Sequence, residues 1–152
     1  MRYWLVKSEP STYSIHDFEE EKVAIWDGVR NYQARNFLMQ MEPGDLVLFY
    51  HSNAKPPGVV GLARVRRARV VDPTQFDPDS PYYDPKSNLD RPRWITAELE
   101  HVETFPQMVP LSELRERFSP EELILLRRGN RLSVVPVPEA VFKEIVRLAH
   151  EA

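Results

Sequence analysis

The chain has 152 residues, of which 42% are hydrophobic and 28% charged, and its formal net charge is −3. These values predict a single domain over residues 1–152 with its own core, and they exclude an intrinsically disordered chain. The absence of cysteine excludes disulfides, thiolate nucleophiles and cysteine-containing zinc sites. No apolar run reaches the roughly 20 residues of a membrane-spanning helix, so we expect a cytoplasmic protein with no membrane partner.

The first half of the chain predicts three strands and two short helices. Ser14 and Asp17 form the pattern of a capping box, which opens a helix that turns Ile15 and Phe18 inward. Apolar residues at helical spacing predict a second helix over 32–41. The β-rich runs lie at 3–6, 23–26 and 46–50. The third run is apolar on both faces, which predicts a strand that is buried on both sides.

The second half of the chain begins with the longest predicted strand, residues 59–71. Both of its faces change from apolar to basic along its length, which predicts a strand that leaves the core partway, with a bulge. Five prolines make residues 72–92 a long loop of fixed turns. The remaining pattern predicts strands at 94–105 and 133–137 and helices at 111–117, 120–128 and 139–149. Together these elements predict an α+β domain with a curved mixed sheet or a small barrel.

Several common chemistries have no support in the sequence. It contains no glycine-rich phosphate loop, no dinucleotide fingerprint and no nucleophile elbow. Its four histidines lack metal-ligand spacing, so we expect no metal and no cofactor.

Polar residues instead collect where the predicted strands end. They occupy four segments, at 7–10, 26–32, 51–53 and 82–87. Strand ends converge at the mouth of a small barrel, where ligand pockets are common. Aromatic planes, amides and hydroxyls together suit a flat heterocycle, because a base that stacks on an aromatic side chain gains roughly 1–3 kcal/mol.

The same segments carry a resemblance to a known family. The runs YWLVKSEP, WDGVRNYQARN, GDLVLFYHSN, FDPDSPYYDPKS and LLRRGNRLSVVPV occur in this order between residues 3 and 137 and resemble EVE-domain proteins. The resemblance implies a PUA-like fold, which is a small β-barrel with surrounding short helices, related to the YTH readers of methylated adenine. It also implies a module that binds a modified base in DNA or RNA, rather than an enzyme.

We predict two groups of site residues. The base-binding pocket is predicted to comprise Lys7, Ser8, Glu9, Trp26, Arg30, Asn31, Tyr32, Ser52, Asn53, Tyr82, Tyr83, Lys86 and Ser87. A phosphate-contacting rim is predicted to comprise Arg64, Arg66, Arg67, Arg69, Arg127 and Arg128. Structural alternatives remain open at this stage: Trp26 as a core residue, Asn31 as a helix cap, Arg30 as a partner of Asp27, and the β-strand arginines as a solvated edge.

Two functions remain open on the residues alone. The first is a reader that captures a modified, flipped base of DNA or RNA, its partner. The alternative is a small hydrolase that acts on a modified nucleoside, since Lys7, Ser8 and Glu9 are residue types found in such enzymes. Adjacent residues on an extended segment point to alternate sides, which disfavours the hydrolase. The oligomeric state is left open.

Overall fold

The structure of the protein is a computed structural model that describes residues 1–151. The strands are β1 (Tyr3–Ser8), β2 (Val23–Ile25), β3 (Leu46–His51), β4 (Gly58–Val71), β5 (Ile95–Pro110) and β6 (Val134–Val137). The α-helices are α1 (Ile15–Glu21), α2 (Tyr32–Gln40), α3 (Leu111–Arg117) and α4 (Glu139–His150), and short 3-10 turns cover Pro73–Phe76 and Ile124–Leu126. No helix within residues 1–151 has the length and apolar character needed to cross a membrane.

The six strands form one mixed sheet in the order β2-β5-β4-β3-β1-β6. β1 and β3 pair in parallel, and every other neighbouring pair is antiparallel. The sheet curls strongly, because Val134 of β6 packs in the same buried cluster as Ala97 and Leu99 of β5, four strands away. Helix α2 contacts both β5 and β6 and so spans the gap between the two ends of the sheet.

Alternating side chains divide the core between the two faces of this curved sheet. Trp4 and Val6 of β1 belong to the inner cluster, which α1 and α2 cover. Leu5 between them belongs to the outer cluster, which is covered by α3 and α4. Such alternation is the two-residue period of a strand that is buried on both faces.

The fold class predicted from the sequence is confirmed, since the chain is an α+β domain with a curved mixed sheet and short helices around it. The predicted buried strand is β3, whose residues 47–50 are all buried. The predicted bulge is also present, because the pairing of β4 with β5 shifts register several times between residues 59 and 70. β1 and β5 run further than predicted, to Ser8 and Pro110, because pairing with their neighbours continues beyond the apolar run.

The predicted helix at 120–128 is wrong. The segment forms turns and a single 3-10 turn at Ile124–Leu126. Leu123 and Leu125 are both buried in the outer cluster, and residues two apart do not share one face of an α-helix.

The buried carboxylate of Asp45 joins the start of β3 to β1. Asp45 is 3% exposed. Its carboxylate accepts a hydrogen bond from the indole Nε1–H of Trp4 at 3.0 Å. It also accepts from the backbone N–H groups of Arg2 at 3.1 Å and Glu42 at 3.0 Å. Without it, the buried indole N–H would lose its partner, which costs about 1–3 kcal/mol for a buried donor.

We therefore expect Asp45→Ala to lower the free energy of unfolding by about 2–3 kcal/mol. Urea denaturation measures this change, with an unchanged denaturant slope showing that the unfolded state is unaffected. Asp90→Ala, at an exposed position, is the matched control. If Asp45→Ala lowered the free energy of unfolding no more than Asp90→Ala does, the role given to the buried carboxylate would be contradicted.

Candidate functional site

A cavity of about 900 Å³ opens where β1 ends, beside the edge strand β2. Residues from both ends of the curled sheet line it, since Val23–Ile25 of β2 face Ser133, which precedes β6. The seam between the sheet edges is therefore the place where the fold leaves room for a ligand. Of the predicted pocket residues, seven line this cavity: Lys7, Ser8, Glu9, Trp26, Arg30, Ser52 and Tyr82.

Trp26 forms a rigid aromatic wall of the cavity. Its backbone is fixed to β5, because its N–H donates to the Ala97 carbonyl at 2.9 Å and its carbonyl accepts from the Thr96 hydroxyl at 2.6 Å. Its ring stands edge-on to Phe49, at 83° with centroids 5.5 Å apart. The indole is 8% exposed and belongs both to the inner core and to the cavity lining.

The buried carboxylate of Asp72 organises the loops around the cavity. Asp72 is 1% exposed, and its Oδ2 accepts from the Gly28 N–H at 2.9 Å and from the guanidinium of Arg30 at 3.0 Å. Its Oδ1 accepts from the Thr74 hydroxyl at 2.6 Å and from the Thr74 N–H at 2.8 Å. One side chain thus ties the loop after β2 to the loop after β4.

Arg30 completes this connection. Its guanidinium donates twice to the Tyr82 carbonyl, at 3.0 and 2.7 Å, and once to the Thr74 hydroxyl at 3.0 Å. The prediction left Arg30 to contact a phosphate, a carbonyl or Asp27. The structure commits it to carbonyls and to Asp72, so it supports the cavity wall.

A stack of aromatic rings and guanidinium groups extends outward from Arg30. Arg30 lies 5.1 Å from the Trp94 ring centroid, Trp94 stacks on Tyr32 at 4.9 Å, and Arg35 covers Tyr32 at 4.7 Å. Such cation–π contacts contribute about 0.5–1 kcal/mol each at exposed sites. Tyr32 was predicted to line the pocket. In the structure it lies in this stack and not in the cavity lining.

Tyr82 closes the cavity wall over Gly28. Gly28 has a φ of +85°, and a Cβ at that position would lie 2.8 Å from the tyrosine ring. Only glycine meets both demands, because side chains disfavour this backbone region and the ring leaves no space. The proline-rich loop is thereby held against the loop after β2.

Five other predicted pocket residues are not brought to the cavity lining. Asn31 caps α2, with its side-chain oxygen accepting from the Ala34 N–H at 3.0 Å, so its structural alternative holds. The Ser87 hydroxyl donates to the Gln75 side chain at 2.5 Å and supports the loop from within. The other three are exposed at the surface: Asn53, Tyr83 and Lys86.

The arginines of β4 lie away from the cavity. Ala63 and Val65 belong to the inner cluster, so the alternate residues Arg64 and Arg66 lie on the opposite face of the sheet. Each forms an ion pair, as do the two arginines that follow. The pairs are Arg64 with Glu100, Arg66 and Arg67 with Glu98, and Arg69 with Glu42. Hydrogen bonds from Arg67 and Arg66 lower the pKa of Glu98 to about 2.

Arg127 and Arg128 are exposed in the turn before β6, and their contact with phosphate stays a prediction. Arg131, three residues further along, lines the cavity itself. The predicted rim is thus divided between two places. Only Arg127 and Arg128 adjoin a segment that reaches the cavity, the one that contains Arg131.

Charged groups of both signs line the cavity. Lys7 lies at the end of β1, and burial lowers the pKa of its ammonium group. Arg131 and Ser133 lie beside it, since the Lys7 N–H donates to the Ser133 carbonyl at 2.9 Å. Glu21 and Asp27 line the cavity on the β2 side. Glu9, directly after β1, adds a carboxylate on the Lys7 side, and Arg30, in the loop after β2, adds a guanidinium that is paired with Asp72.

Sequence reasoning missed several lining residues, among them Thr12, Tyr13, Glu21, Asp27, Arg131 and Ser133. Arg131 had one detectable signal, its position in a basic run with Arg127 and Arg128. Tyr13 and Glu21 had none, because Tyr13 precedes α1, Glu21 ends it, and both reach the cavity only through the packing of that helix.

Comparison with known proteins identifies the chain. The EVE domain family model matches residues 2–148. The protein belongs to the EVE domain family. Thymocyte nuclear protein 1 of Mus musculus is 39% identical over 96% of this chain and 73% of its own length.

Several solved structures share this fold. A protein from Pseudomonas putida superposes with a TM-score of 0.92 at 46% identity, covering 97% of this chain and 99% of that one. The human THYN1 protein, solved in complex with 5-methylcytosine containing DNA, has a TM-score of 0.92 at 34% identity and covers 100% of this chain and 99% of its own. A YTH domain from Zygosaccharomyces rouxii, at 13% identity and a TM-score of 0.60, shares the fold alone.

The Arg30–Asp72 pair should control the order of the proline-rich loop of this EVE domain. Arg30→Ala leaves the buried Asp72 carboxylate without its cation, a change that costs about 3–5 kcal/mol when one partner of a buried pair is removed. We expect amide hydrogen exchange within residues 73–93 to accelerate by at least about tenfold, since 1.4 kcal/mol corresponds to a factor of ten.

Arg64→Ala is the control, because it breaks an exposed ion pair, with Glu100, on the other face of the sheet. Exposed pairs contribute about 0–1 kcal/mol, so loop exchange should not change. Equal exchange in the loop for the wild type and Arg30→Ala would show that the loop is held by other contacts.

Proposed function

We propose that this EVE domain binds DNA or RNA and holds a modified, flipped base in the cavity beside Trp26. The observation that carries the proposal is the indole wall itself, fixed by two backbone hydrogen bonds and lining a cavity of about 900 Å³. Cavities of roughly 300–1,000 Å³ suit small planar ligands. The presence of 5-methylcytosine containing DNA in the human THYN1 structure supports the ligand class.

The rigidity of the walls favours discrimination between closely similar bases. A base taken out of a duplex costs a few kcal/mol in lost stacking and pairing, which contacts inside the cavity must offset. The Asp72–Arg30 connection already holds Gly28 and Tyr82 in place. Trp26 is held separately by its backbone hydrogen bonds to β5. Little further ordering is needed on binding, so more of the contact energy contributes to affinity.

Arg131 and Lys7 are the cations best placed to meet the nucleic-acid backbone. Both line the cavity, and neither forms an ion pair within residues 1–151. Arg64 and Arg66 lie on the other face of the sheet, and all four β4 arginines are paired with glutamates. We therefore place the phosphate contacts at the β1–β6 side of the cavity, with Arg127 and Arg128 extending that surface.

Binding without catalysis fits the geometry better than a hydrolase. The Ser8 hydroxyl donates to the Tyr13 carbonyl at 2.6 Å, so its proton is already engaged and no base activates it. The lowered pKa of Lys7 is the one feature that favours a reactive amine. Because the neighbouring Ser8 hydroxyl is engaged, we propose that Lys7 contacts the ligand as a cation.

Loss of the indole should weaken the binding of a modified base. Trp26→Ala removes a stacking contact worth roughly 1–3 kcal/mol, which corresponds to about 5- to 150-fold in Kd. Fluorescence anisotropy with a hairpin that carries one 5-methylcytosine measures the effect. Because Trp26 also packs against Phe49, Trp26→Phe is tested in parallel as a variant that keeps an aromatic ring and retains most of the affinity.

Tyr83→Ala, which removes an exposed ring outside the cavity lining, is the matched control. Two results together would contradict the proposed function. The wild type would bind modified and unmodified hairpins equally well, and a folded Trp26→Ala variant would bind them with unchanged affinity.

The salt dependence of binding should locate the phosphate contacts. Arg131→Ala is expected to reduce the slope of log K against log salt by about one, since each neutralised phosphate contributes about 0.9 to that slope in duplex DNA. Arg64→Ala, on the opposite face, should leave the slope unchanged. Titrations at a series of salt concentrations measure the slope for each variant. If Arg64→Ala reduced the slope and Arg131→Ala did not, the phosphate contacts would lie on the β4 face.

A further inference from the structure

Arg35, on helix α2, carries a charge that the fold holds in place without neutralising it. Its guanidinium donates to the Arg93 carbonyl at 2.8 Å and to the side-chain oxygen of Asn36 at 3.0 and 3.3 Å. It also lies 4.7 Å from the centroid of the Tyr32 ring. All of these partners are electrically neutral. No carboxylate among residues 1–151 forms an ion pair with Arg35, whereas each of the four β4 arginines is paired with a glutamate.

Arg35 also keeps hydrogen-bond donors for a ligand. A guanidinium has five N–H groups, and the bonds to Asn36 and Arg93 use the one on Nε and one on each Nη. One N–H therefore remains on each Nη. Two donors in the fixed plane of a guanidinium suit two oxygens of a phosphate group. Because the group is already held by three bonds, contact with a phosphate needs little further ordering of the side chain.

The stack that extends outward from Arg30 connects Arg35 to the cavity. Tyr82 lines the cavity, and the Arg30 guanidinium lies 5.8 Å from the Tyr82 ring centroid and 5.1 Å from that of Trp94. Tyr32 follows Trp94 at 4.9 Å, and Arg35 follows Tyr32 at 4.7 Å. Successive base pairs of a duplex rise about 3.4 Å. The stack is therefore only a few nucleotide steps long, and the strand that flanks a flipped base can reach its outer end.

The two arginines of this stack are used differently by the fold. Arg30, at the inner end, is paired with the buried carboxylate of Asp72. Arg35, at the outer end, is only partly buried and has no counterion among the described residues. A cation that is held without a counterion favours an anionic ligand, which brings the missing negative charge. The backbone of a nucleic acid supplies such charges at every nucleotide.

The surface around Arg35 is accessible and has more cations than carboxylates. Tyr32 is 50% exposed, and Arg35 is the one charged residue of α2, the helix that spans the gap between the two ends of the sheet. Glu42, shortly after α2, is paired with Arg69. The adjoining loop segment 84–94 adds three cations and two carboxylates, which are Lys86, Arg91 and Arg93 with Asp84 and Asp90. An exposed aromatic ring among unpaired cations is typical of a surface that binds nucleic acid.

We propose that Arg35, supported by the Tyr32 ring, binds a backbone phosphate of the strand that flanks the base in the cavity. This inference rests on the function proposed above. It adds a contact outside the cavity to the one placed at Arg131, so that the strand is held at two separate places. The contact is made to the backbone and is therefore independent of which base enters the cavity.

The salt dependence of binding by matched Arg35 variants tests this contact. One duplex carries a single 5-methylcytosine, and a second carries cytosine at the same position. We expect Arg35→Gln to reduce the slope of log K against log salt by about 0.9, which corresponds to roughly eightfold in Kd at 0.1 M salt relative to 1 M. Both duplexes should lose affinity by the same factor, because a phosphate contact does not read the base. Arg35→Lys should keep the wild-type slope, because an ammonium group also binds phosphate.

Arg115→Gln serves as the control and should leave the slope unchanged. Arg115 is an exposed arginine of α3, which covers the outer cluster on the other face of the sheet. Circular dichroism checks that the variants are folded. An unchanged slope in Arg35→Gln, or a reduced slope that Arg35→Lys does not restore, would overturn the inference and leave base binding intact. If the wild type bound both duplexes equally and Trp26→Ala changed neither affinity, the proposed function on which the inference rests would instead be removed.

Discussion

The buried ion pair between Asp72 and Arg30 is the interaction on which the candidate site depends. Asp72 follows β4, and Arg30 lies in the loop between β2 and α2. A buried carboxylate is tolerable only when donors surround it, and Asp72 has four, from Gly28, Arg30 and Thr74. The pair therefore does little to stabilise the fold on its own. Its consequence is geometric, because it fixes two loops in one arrangement.

The position of the cavity follows from the way the sheet closes. A sheet that joined β2 to β6 would fill the seam with backbone hydrogen bonds. In this chain β2 has only three residues, Val23–Ile25, and α2 covers part of the gap instead. The ends of β1 and β2 and the start of β6 consequently meet around open space. Trp26 lies at the end of the short strand, where its ring contributes to the core and to the cavity together.

Local patterns in the sequence were enough to predict the strands, most helices and the segments that meet at the cavity. They could not predict the role of Arg64, Arg66 and Arg67, because their partners Glu98 and Glu100 lie more than 30 residues away and face them only through the antiparallel register of β4 and β5. Asn31 was ambiguous for a related reason, since one amide suits a base edge and a helix cap equally well. Tyr13 reaches the cavity through helix packing, which has no signature in a linear pattern.

The net charge of −3 does not show which cations a ligand in the cavity can meet. Four β4 arginines are offset by glutamates, and Arg30 is offset by Asp72. A neutralised arginine exerts little field beyond its partner, so a basic run in the sequence need not form a basic surface. At the cavity, the cations Lys7 and Arg131 lie among the carboxylates of Glu9, Glu21 and Asp27. The electrostatic character of this EVE domain therefore depends on which charges the fold leaves unpaired at the seam, because only those can orient a nucleic acid.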